Sequence, residues 1–295
     1  MTIRVSVDGV ITDAEEARIP VLDRGFLYGD AVFEVFRTYG GVPHELDVHL
    51  ARLEGSAERL RFRLPVSRAQ LAEEVAAAIA DAGHPESYVR VVVTRGRGPL
   101  GLDPTTAIHP LRVIVVAPLV TPPPAFYEAG VAVITLRSSH EAGRKSTAGA
   151  KVANYVENIL ATVEAKEKGA HEAFFVDGSG QVLEGATSNV FVVSGGRVRT
   201  PPLSTGILGG ITRSLVLDVA RELGIPADEE PLTAHDLRSA EEIFLTSSIR
   251  EVVPVIRLDG MDVGNGRPGP VARRLLVAYR DRLARTYGAT RSDDG

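Results

Sequence analysis

Apolar and polar residues alternate with a period of two near the start of the chain, and this alternation predicts strands. Residues 3–12 alternate and turn at an Asp-Gly pair, which predicts a hairpin. Residues 27–39 combine small, apolar and β-branched residues. A strand there places Glu34 on one face, between two apolar neighbours, and Phe33 on the other face.

Apolar residues recur at helical spacing further along, and valine-rich runs lie between these stretches. Ser67 begins a capping-box sequence, and Gly224 follows the most amphipathic stretch. The predicted helices cover residues 46–64, 67–83, 154–168, 211–223 and 270–285. Further strands are predicted over residues 88–94, 111–117, 131–136, 173–176, 182–183, 190–193, 242–246 and 252–256. Interspersed helices and hairpins favour an α+β fold over a doubly wound one.

A proline-rich run divides the chain. Residues 118–124 include three consecutive prolines, which neither a helix nor a sheet ladder accommodates. We therefore predict a smaller domain of residues 1–118, a linker over 119–126 and a larger domain of residues 127–295. Residues 139–150 are expected to form a polar loop, and the tail from Arg291 is expected to be disordered.

Composition narrows the class of protein. The chain has 295 residues, 44% hydrophobic and 24% charged, with a net charge of −5. This balance is typical of a globular protein and argues against nonspecific nucleic-acid binding. Cysteine is absent, which excludes disulfides and thiolate chemistry. No apolar run is long enough to span a membrane and the N-terminus lacks a signal-peptide core, so we expect a cytoplasmic protein with neither membrane nor nucleic-acid partners.

Two features of the sequence suggest a binding site at first but do not support one. Gly96-Arg-Gly98-Pro-Leu-Gly101 has the glycine spacing of a dinucleotide-binding loop. That function needs a helix to open directly after the glycines, and here a Leu-Asp-Pro sequence and another strand follow. A bent loop near a ligand is the better interpretation. The seven histidines show no metal-ligand spacing, so no metal site is predicted.

Lysine is scarce among the 33 basic residues: the chain contains only Lys145, Lys151, Lys166 and Lys168. The last two lie in a charged helix end and should be solvated. Lys151 alone has small and apolar neighbours on both sides. Such a lysine can lose solvent, lower its pKa and act as an amine nucleophile. A lysine that snorkels at a helix start fits the spacing equally well.

Two other stretches complement Lys151. Gly209-Gly210 leads into the helix that begins at Ile211-Thr212, and such a helix start can bind a phosphate or serve as a plain turn. Glu184 lies in a strand interrupted by small polar residues, where it is either solvated or inward-facing against a cation. A nucleophilic lysine, a phosphate site and an inward carboxylate are together what pyridoxal phosphate requires.

The chain resembles the class IV aminotransferases, which are fold type IV pyridoxal-phosphate enzymes, over nearly its whole length. Members include branched-chain and D-amino acid transaminases and aminodeoxychorismate lyase. The matching segments are 23–30 with Phe33-Glu34, 49–53, 151–155, 184–191, 208–213, and 240–244 with Ser247-Ser248 and Pro254-Val255. Departures are mild: Gly209 replaces a common proline and Ser248 replaces the threonine of branched-chain enzymes.

The resemblance implies roles for individual residues. Lys151 would bond the cofactor and move the Cα proton, Glu184 would pair with the pyridine nitrogen, and Tyr155 would bind the ring hydroxyl. The phosphate would be held by Arg52, Ser248 and the backbone of Ile211 and Thr212, while Leu208 would pack on the ring. The family also implies a small α+β domain, a large pseudo-barrel domain that binds the cofactor, and a homodimer whose active sites borrow residues from the partner.

The substrate is less defined. Tyr88-Val-Arg90 resembles the corresponding segment of branched-chain enzymes, which favours a branched-chain amino acid and a 2-oxo acid as substrates. Arg24 and Arg97 add guanidinium groups that would bind a carboxylate, and a D-amino acid transaminase is the alternative. Aminodeoxychorismate lyase fits less well around Asn154-Tyr155, and a non-catalytic cofactor-binding protein is a further alternative. The substrate-binding residues implied are Tyr28, Phe33, Tyr88, Arg90, Arg97 and Arg24.

Overall fold

A computed structural model describes residues 2–139 and 147–288. Most of the predicted loop over 139–150 and the predicted disordered tail lie outside the described residues. The helices are α1 (Arg24–Tyr28), α2 (Leu46–Arg59), α3 (Arg68–Ala82), α4 (Ala125–Glu128), α5 (Val156–Glu167), α6 (Ile211–Glu222), α7 (Ala234–Ser239) and α8 (Pro270–Tyr287).

The first strands are β1 (Arg4–Val7), β2 (Val10–Asp13), β3 (Ala31–Tyr39), β4 (Val42–Pro43), β5 (Ser87–Thr94) and β6 (Arg112–Pro118). The later strands are β7 (Val131–Arg137), β8 (Glu172–Val176), β9 (Val182–Gly185), β10 (Asn189–Ser194), β11 (Arg197–Thr200), β12 (Ala227–Glu229), β13 (Glu242–Ser247), β14 (Glu251–Leu258) and β15 (Met261–Asp262).

The chain divides into two compact units. The first unit comprises residues 2–120, 150–155 and 287–288, and the second comprises 121–139, 147–149 and 156–286. The division falls inside the proline-rich run. The short segment that carries Lys151 groups with the first unit, whereas the sequence-based boundaries, which stay a prediction, include it in the larger domain.

The first unit is an antiparallel sheet of order β2-β1-β6-β5-β3-β4. Helices α2 and α3 pack on one face, where Leu53 and Leu71 meet Phe36 and Val91. Each of these side chains is fully buried, which stabilises the fold by about 1.5–3 kcal/mol per residue. Along β3 the side chains alternate as predicted, so Glu34 lies on the helix-covered face.

The second unit is built on a mixed sheet of order β12-β11-β10-β13-β14-β7-β8-β9, with β15 paired to β14. Strand β7 runs parallel to both β14 and β8, β11 runs parallel to β12, and hairpins join β8 to β9, β10 to β11 and β13 to β14. Helix α6 packs on β13. The predicted α+β fold class is confirmed by this arrangement. No helix in the described residues combines the length and apolar character needed to cross a membrane.

Helix boundaries differ from the prediction where local hydrogen bonds override apolar spacing. Helix α2 ends at Arg59 and not at Leu64, because Arg61 adopts a left-handed conformation (φ 59°) and the Phe62 N–H bonds the Ala57 carbonyl. The predicted capping box at Ser67 forms only in part. Its side chain accepts from the Gln70 N–H, but the Gln70 amide bonds Glu74.

The segment 151–153 is extended and not helical. The Phe33 N–H donates to the Lys151 carbonyl at 3.0 Å, and the Ala153 N–H donates to the Ala31 carbonyl at 2.9 Å. These bonds place Lys151 beside β3, so α5 begins at Val156 and not at Asn154. The interpretation of Lys151 as a residue at a helix start is therefore wrong.

Candidate active site

Lys151 lies half-buried among aromatic side chains of the first unit. Its Nζ donates to the Tyr155 hydroxyl at 3.3 Å and lies 4.7 Å from the centroid of the Phe33 ring. The Tyr155 ring packs edge-on against Phe33, with 5.0 Å between centroids. The Lys151 backbone N–H donates to the Ser56 hydroxyl at 3.1 Å. This environment suits an amine that acts as a nucleophile. Lys166 and Lys168 are exposed, as predicted.

Asn154 fixes the segment that carries this lysine. With its amide nitrogen turned toward helix α1, Asn154 donates to the carbonyls of Tyr28 and Gly29 at 3.2 Å each. Gly29 ends α1 in a left-handed conformation (φ 66°), and a Cβ there would lie 1.8 Å from the Asn154 side chain. Only glycine fits both demands. Helix α1 was not predicted, although its Asp-Arg-Gly start contains an N-cap residue, Asp23.

A buried ionic cluster lies on the helix-covered face of β3. Oε1 and Oε2 of Glu34 accept from Nε and Nη2 of Arg52 at 2.7 and 2.6 Å. Nδ1 of His49 lies 2.7 Å from Oε2. The sequence-based interpretation placed Arg52 in the phosphate site and missed its partners. The sequence does contain a signal for these partners, since Glu34 interrupts an apolar strand and His49 and Arg52 lie one helical turn apart.

Ionisation in this cluster is set by competing effects. Burial opposes the charge on Glu34, but the Arg52 guanidinium and the hydrogen bonds from Arg52 and His49 outweigh it and lower the pKa to about 2. Burial lowers the pKa of His49, helped by the charges of Arg52 and Lys151. The cluster therefore consists of a carboxylate, a guanidinium and a neutral imidazole at neutral pH.

The face of the same sheet opposite α2 and α3 carries the predicted substrate-binding residues of β3 and β5. Tyr88 and Arg90 alternate on β5 opposite Arg37 and Val35 of β3. The Arg90 guanidinium lies over the Phe33 ring, with Cζ 4.0 Å from the centroid. Phe33 thus contacts both Arg90 and Lys151. Because a guanidinium over an aromatic face keeps its edge available to a planar anion, this arrangement suits carboxylate binding.

The glycine run 96–101 forms a loop. Arg97 exchanges backbone hydrogen bonds with Ile108 at 2.9 and 2.8 Å, and in the described residues a short 3₁₀ turn over Pro104–Thr106 and then β6 follow the glycines. No helix opens there, in agreement with the rejection of a dinucleotide site. Arg97 is exposed, and no hydrogen bond or ion pair of its guanidinium exists within residues 2–139 and 147–288.

Arg24 and Tyr28 contact this loop. The Arg24 side chain is 5% exposed and donates to backbone carbonyls of residues 101–103 as well as to Asp30. The Tyr28 hydroxyl accepts from the Gly101 N–H at 3.1 Å, and Arg24 packs over the Tyr28 ring. All three guanidinium nitrogens of Arg24 are thus engaged within the chain.

In the second unit, Glu184 and Leu208 are brought together. Oε2 of Glu184, on β9, accepts from the Leu208 N–H at 3.0 Å. The Leu208 carbonyl accepts from the Asn189 amide at 2.9 Å. A side chain at Gly210 would collide with Asn189, since a Cβ there would lie 1.9 Å from its Oδ1. Asn189 and Glu184 together hold the chain that leads into α6.

Helix α6 begins without a side-chain cap, because its N-cap is Gly210. Thr212, in its first turn, is 2% exposed, and its hydroxyl is buried with no hydrogen-bond partner in the described structure. Buried hydroxyls are normally satisfied, so an unpaired one beside the positive end of a helix suits an anionic ligand. Ile211 and Thr212 therefore fit the phosphate of pyridoxal phosphate.

Ser248 lies half-buried in the turn between β13 and β14. Arg250 fixes this turn: its Nη2 donates to Glu172 and to the Thr187 hydroxyl, both at 2.7 Å. Nε of Arg250 donates to the Ser247 hydroxyl at 3.2 Å. Glu172 is 3% exposed, so the pair is well sheltered from solvent. Sequence reasoning missed this network, whose members are far apart in the chain.

The described residues thus contain the elements that pyridoxal phosphate needs: an amine beside a tyrosine hydroxyl, a carboxylate that accepts hydrogen bonds, and a helix start with an unpaired hydroxyl. These residues fit the cofactor. No cluster of three or more potential metal ligands occurs among residues 2–139 and 147–288.

Comparison with known proteins agrees with this chemistry. The model of the family "Amino-transferase class IV" matches residues 31–258. A putative branched-chain-amino-acid aminotransferase of Methanocaldococcus jannaschii is 37% identical over 278 residues, which is 94% of this chain and 96% of the relative. A D-alanine aminotransferase of Bacillus licheniformis is 31% identical over 280 residues, 95% of this chain and 97% of the relative.

Solved structures agree. The branched-chain amino acid aminotransferase of Escherichia coli superposes with a TM-score of 0.89 at 29% identity, over 100% of this chain and 98% of that one. The T.th. branched-chain amino acid aminotransferase with pyridoxamine 5'-phosphate gives a TM-score of 0.89 at 30% identity, over 99% and 96%. The predicted fold type IV architecture is confirmed. The chain belongs to the class IV aminotransferases.

Proposed function

We propose that this pyridoxal-phosphate-dependent transaminase transfers the amino group of a branched-chain amino acid to a 2-oxo acid such as 2-oxoglutarate. The observation that carries the proposal is the stack of Arg90, Phe33 and Lys151, with 4.0 and 4.7 Å to the Phe33 centroid. It joins a carboxylate-binding group and a reactive amine through one ring. The branched-chain names of the relatives support the substrate class.

The cofactor, when bound, supplies an aldehyde that bonds amines and a ring that takes up electrons from Cα. We propose that Lys151 accepts and returns the Cα proton, and that Tyr155, 3.3 Å from its Nζ, orients the amine and binds the ring hydroxyl. Glu184 would hold a proton on the pyridine nitrogen. Its hydrogen bond from the Leu208 N–H fixes its orientation, and Leu208 would pack on the ring.

Phosphate binding is assigned to Ile211, Thr212, Ser248 and Arg52. The unpaired Thr212 hydroxyl supports the first two, and the Arg250 network that fixes the neighbouring turn supports Ser248. The bidentate pair with Glu34 supports Arg52, because it gives the guanidinium one orientation.

A D-amino acid is the second candidate substrate. Arg97 carries an exposed guanidinium that bonds nothing in the described residues, and a carboxylate bound there would enter on a different side from one bound at Arg90. The D-alanine aminotransferases at 31–32% identity support this alternative.

We also propose a homodimer. One face of α5 exposes four aliphatic side chains at helical spacing, namely Val156, Ile159, Leu160 and Val163, which are 46–66% exposed. The opposite face buries Ala161 and Ala165. An uncharged aliphatic stripe is complementary to itself across a two-fold axis. We place the enzyme in the cytoplasm, which a cysteine-free chain fits; cell fractionation tests this.

A half-reaction screen tests the substrate proposal. The purified holoenzyme is mixed with individual L- and D-amino acids, and bleaching of the visible absorbance of the lysine-bound cofactor is followed. L-Leucine, L-isoleucine and L-valine should bleach it fastest. Faster bleaching by D-alanine or D-glutamate would favour the second candidate. Lys151→Ala should lack the band, and normal turnover by that variant would overturn the assignment.

A further inference from the structure

The loop that carries Arg97 is tied down at its base but exposed at its tip. Arg97 and Ile108 close the base through two backbone hydrogen bonds. At the tip, Leu100 and Leu102 are 75% and 80% exposed. Gly101 has φ 145°, a backbone conformation that side chains disfavour. Such a loop has little apolar burial of its own, so its conformation depends on a few specific contacts.

One side chain supplies most of those contacts. Nη1 and Nη2 of Arg24 donate to the carbonyls of Gly101 and Leu102 at 2.9 and 3.2 Å, and Nη1 also reaches Asp103 at 3.4 Å. Three successive carbonyls thus converge on one guanidinium. The planar guanidinium of an arginine, with its several N–H donors, can bond three successive carbonyls, and the single ammonium of a lysine does not. The Tyr28 hydroxyl adds a bond from the Gly101 N–H.

Arg24 is itself held by an ionic chain. Oδ2 of Asp30 accepts from Nε of Arg24 at 2.9 Å and from Nε of Arg95 at 2.8 Å. Arg95 in turn donates to the carbonyls of Leu60 and Arg61 at the end of α2. The three charged side chains are only 5–14% exposed. The chain of contacts therefore connects α2 to the loop through Asp30.

We propose that Arg24, fixed by Asp30, is a positioning residue that sets the loop 97–103 and thereby the guanidinium of Arg97 for the substrate carboxylate. The inference rests on the second candidate of the proposed function, the D-amino acid, whose carboxylate Arg97 would bind. It assigns Arg24 an indirect role in place of direct substrate contact, because its donors are already used on the loop carbonyls.

Hydrogen exchange and kinetics on the holoenzyme test this assignment. In Arg24→Met, amides of residues 97–106 should exchange at least about tenfold faster, and KM should rise about tenfold or more with kcat within about threefold. Asp30→Asn should also raise the exchange rate of these amides and the KM, although no cation is lost. Arg24→Lys should restore the values only in part. Arg18→Met is the matched control, since Arg18 is exposed and donates to the carbonyls of Glu15 and Ala17.

Two results would overturn the positioning role. If KM rises in Arg24→Met but the exchange of residues 97–106 stays normal, and Asp30→Asn is unaffected, Arg24 contacts substrate directly. If the loop loosens without any change in KM, loop position does not govern substrate binding. Arg97→Ala separates this inference from the proposed function: an unchanged KM in that variant refutes the role of Arg97, while loop exchange still reports on Arg24. Arg24→Lys and Asp30→Asn keep the test available if Arg24→Met does not fold.

Discussion

The Glu34 carboxylate is held by Arg52 through two hydrogen bonds, of 2.7 and 2.6 Å, in a fully buried position. Its pKa of about 2 means that the carboxylate is ionised at every pH at which such enzymes work. The pair fixes the orientation of the Arg52 guanidinium permanently. A substitution of Glu34 should therefore change both the stability of the fold and the affinity for any ligand that Arg52 binds.

Glu34→Gln should lower the free energy of unfolding by about 3–5 kcal/mol, because Arg52, whose side chain is only 14% exposed, keeps its charge beside a buried neutral partner. Urea denaturation of both proteins measures this. Glu54→Gln is the control on the same helix as Arg52: Glu54 pairs with Arg68 at 3.1 Å in an exposed position. That substitution should cost about 0–1 kcal/mol. Similar costs for the two variants would contradict the buried-pair interpretation.

Thr212→Val should separate cofactor binding from stability. The substitution removes a buried hydroxyl that has no partner in the described structure, so the apoprotein should be as stable as before or slightly more stable. Pyridoxal phosphate should bind about tenfold more weakly, as fluorescence titration of the apoprotein would measure.

Thr200→Val provides the matched control. The Thr200 hydroxyl is buried and donates to the Val190 carbonyl at 2.7 Å. Its loss should cost about 1–3 kcal/mol of stability while leaving cofactor affinity unchanged. If Thr212→Val instead lost stability and bound the cofactor normally, the hydroxyl would have no role toward phosphate.

Acid should destabilise the protein below about pH 6.5. Burial, with repulsion from His49 once acid protonates it and from the Arg37 guanidinium, lowers the pKa of His44 from 6.5 to about 3. Between these values the unfolded chain takes up a proton that the folded chain does not. Above pH 6.5 protonation of His44 therefore does not lower the free energy of unfolding. Toward pH 3 this residue lowers it by at most about 1.4 kcal/mol per pH unit.

Urea midpoints between pH 4.5 and 7.5 measure that slope. His44→Gln should make it shallower, with the remaining slope including the contribution of His49, whose pKa burial also lowers. His235→Gln is the control, because His235 is exposed. An unchanged slope in His44→Gln would show that His44 is protonated in the folded protein.

The stripe on α5 predicts the oligomeric state. The double substitution Ile159→Glu and Leu160→Glu places charge on the proposed interface and should convert the dimer to a monomer, as light scattering after size exclusion would detect. Val277→Glu, at a 55% exposed position of α8, should leave the dimer intact. A dimer that survives the α5 substitutions would place the interface elsewhere.

Much of the fold was predictable because local signals agree with it. The β3 alternation and the period of α6 both predicted the observed elements. The ends of α2 and α5 were not predictable, because a left-handed Arg61 and strand-like pairing of residues 151–153 overrode the apolar spacing. Such terminations depend on tertiary hydrogen bonds, which a local pattern does not contain.

The candidate site, like the fold, was only partly predictable from the sequence. Lys151 stood out by scarcity, and Thr212 by its glycine-led helix start. The contacts of Arg24 could not be inferred, since its partners at residues 101–103 lie far along the chain and are backbone carbonyls with no sequence signature. Resemblance predicted which residues bind cofactor and substrate, and those roles stay predictions, but the direction in which a guanidinium points is a property of the folded chain.

The grouping of residues 150–155 with the first unit limits how this protein can be divided. The sheet of the first unit gains its lysine from a segment that the ribosome makes only after β7 of the second unit. A fragment ending at Val120 would contain Arg90 and Phe33 but not Lys151. A chimaera that exchanged everything after Val120 with another aminotransferase would import a foreign lysine segment against β3. The two units are therefore not interchangeable modules, and recombination within this family should respect the boundaries at residues 150 and 155.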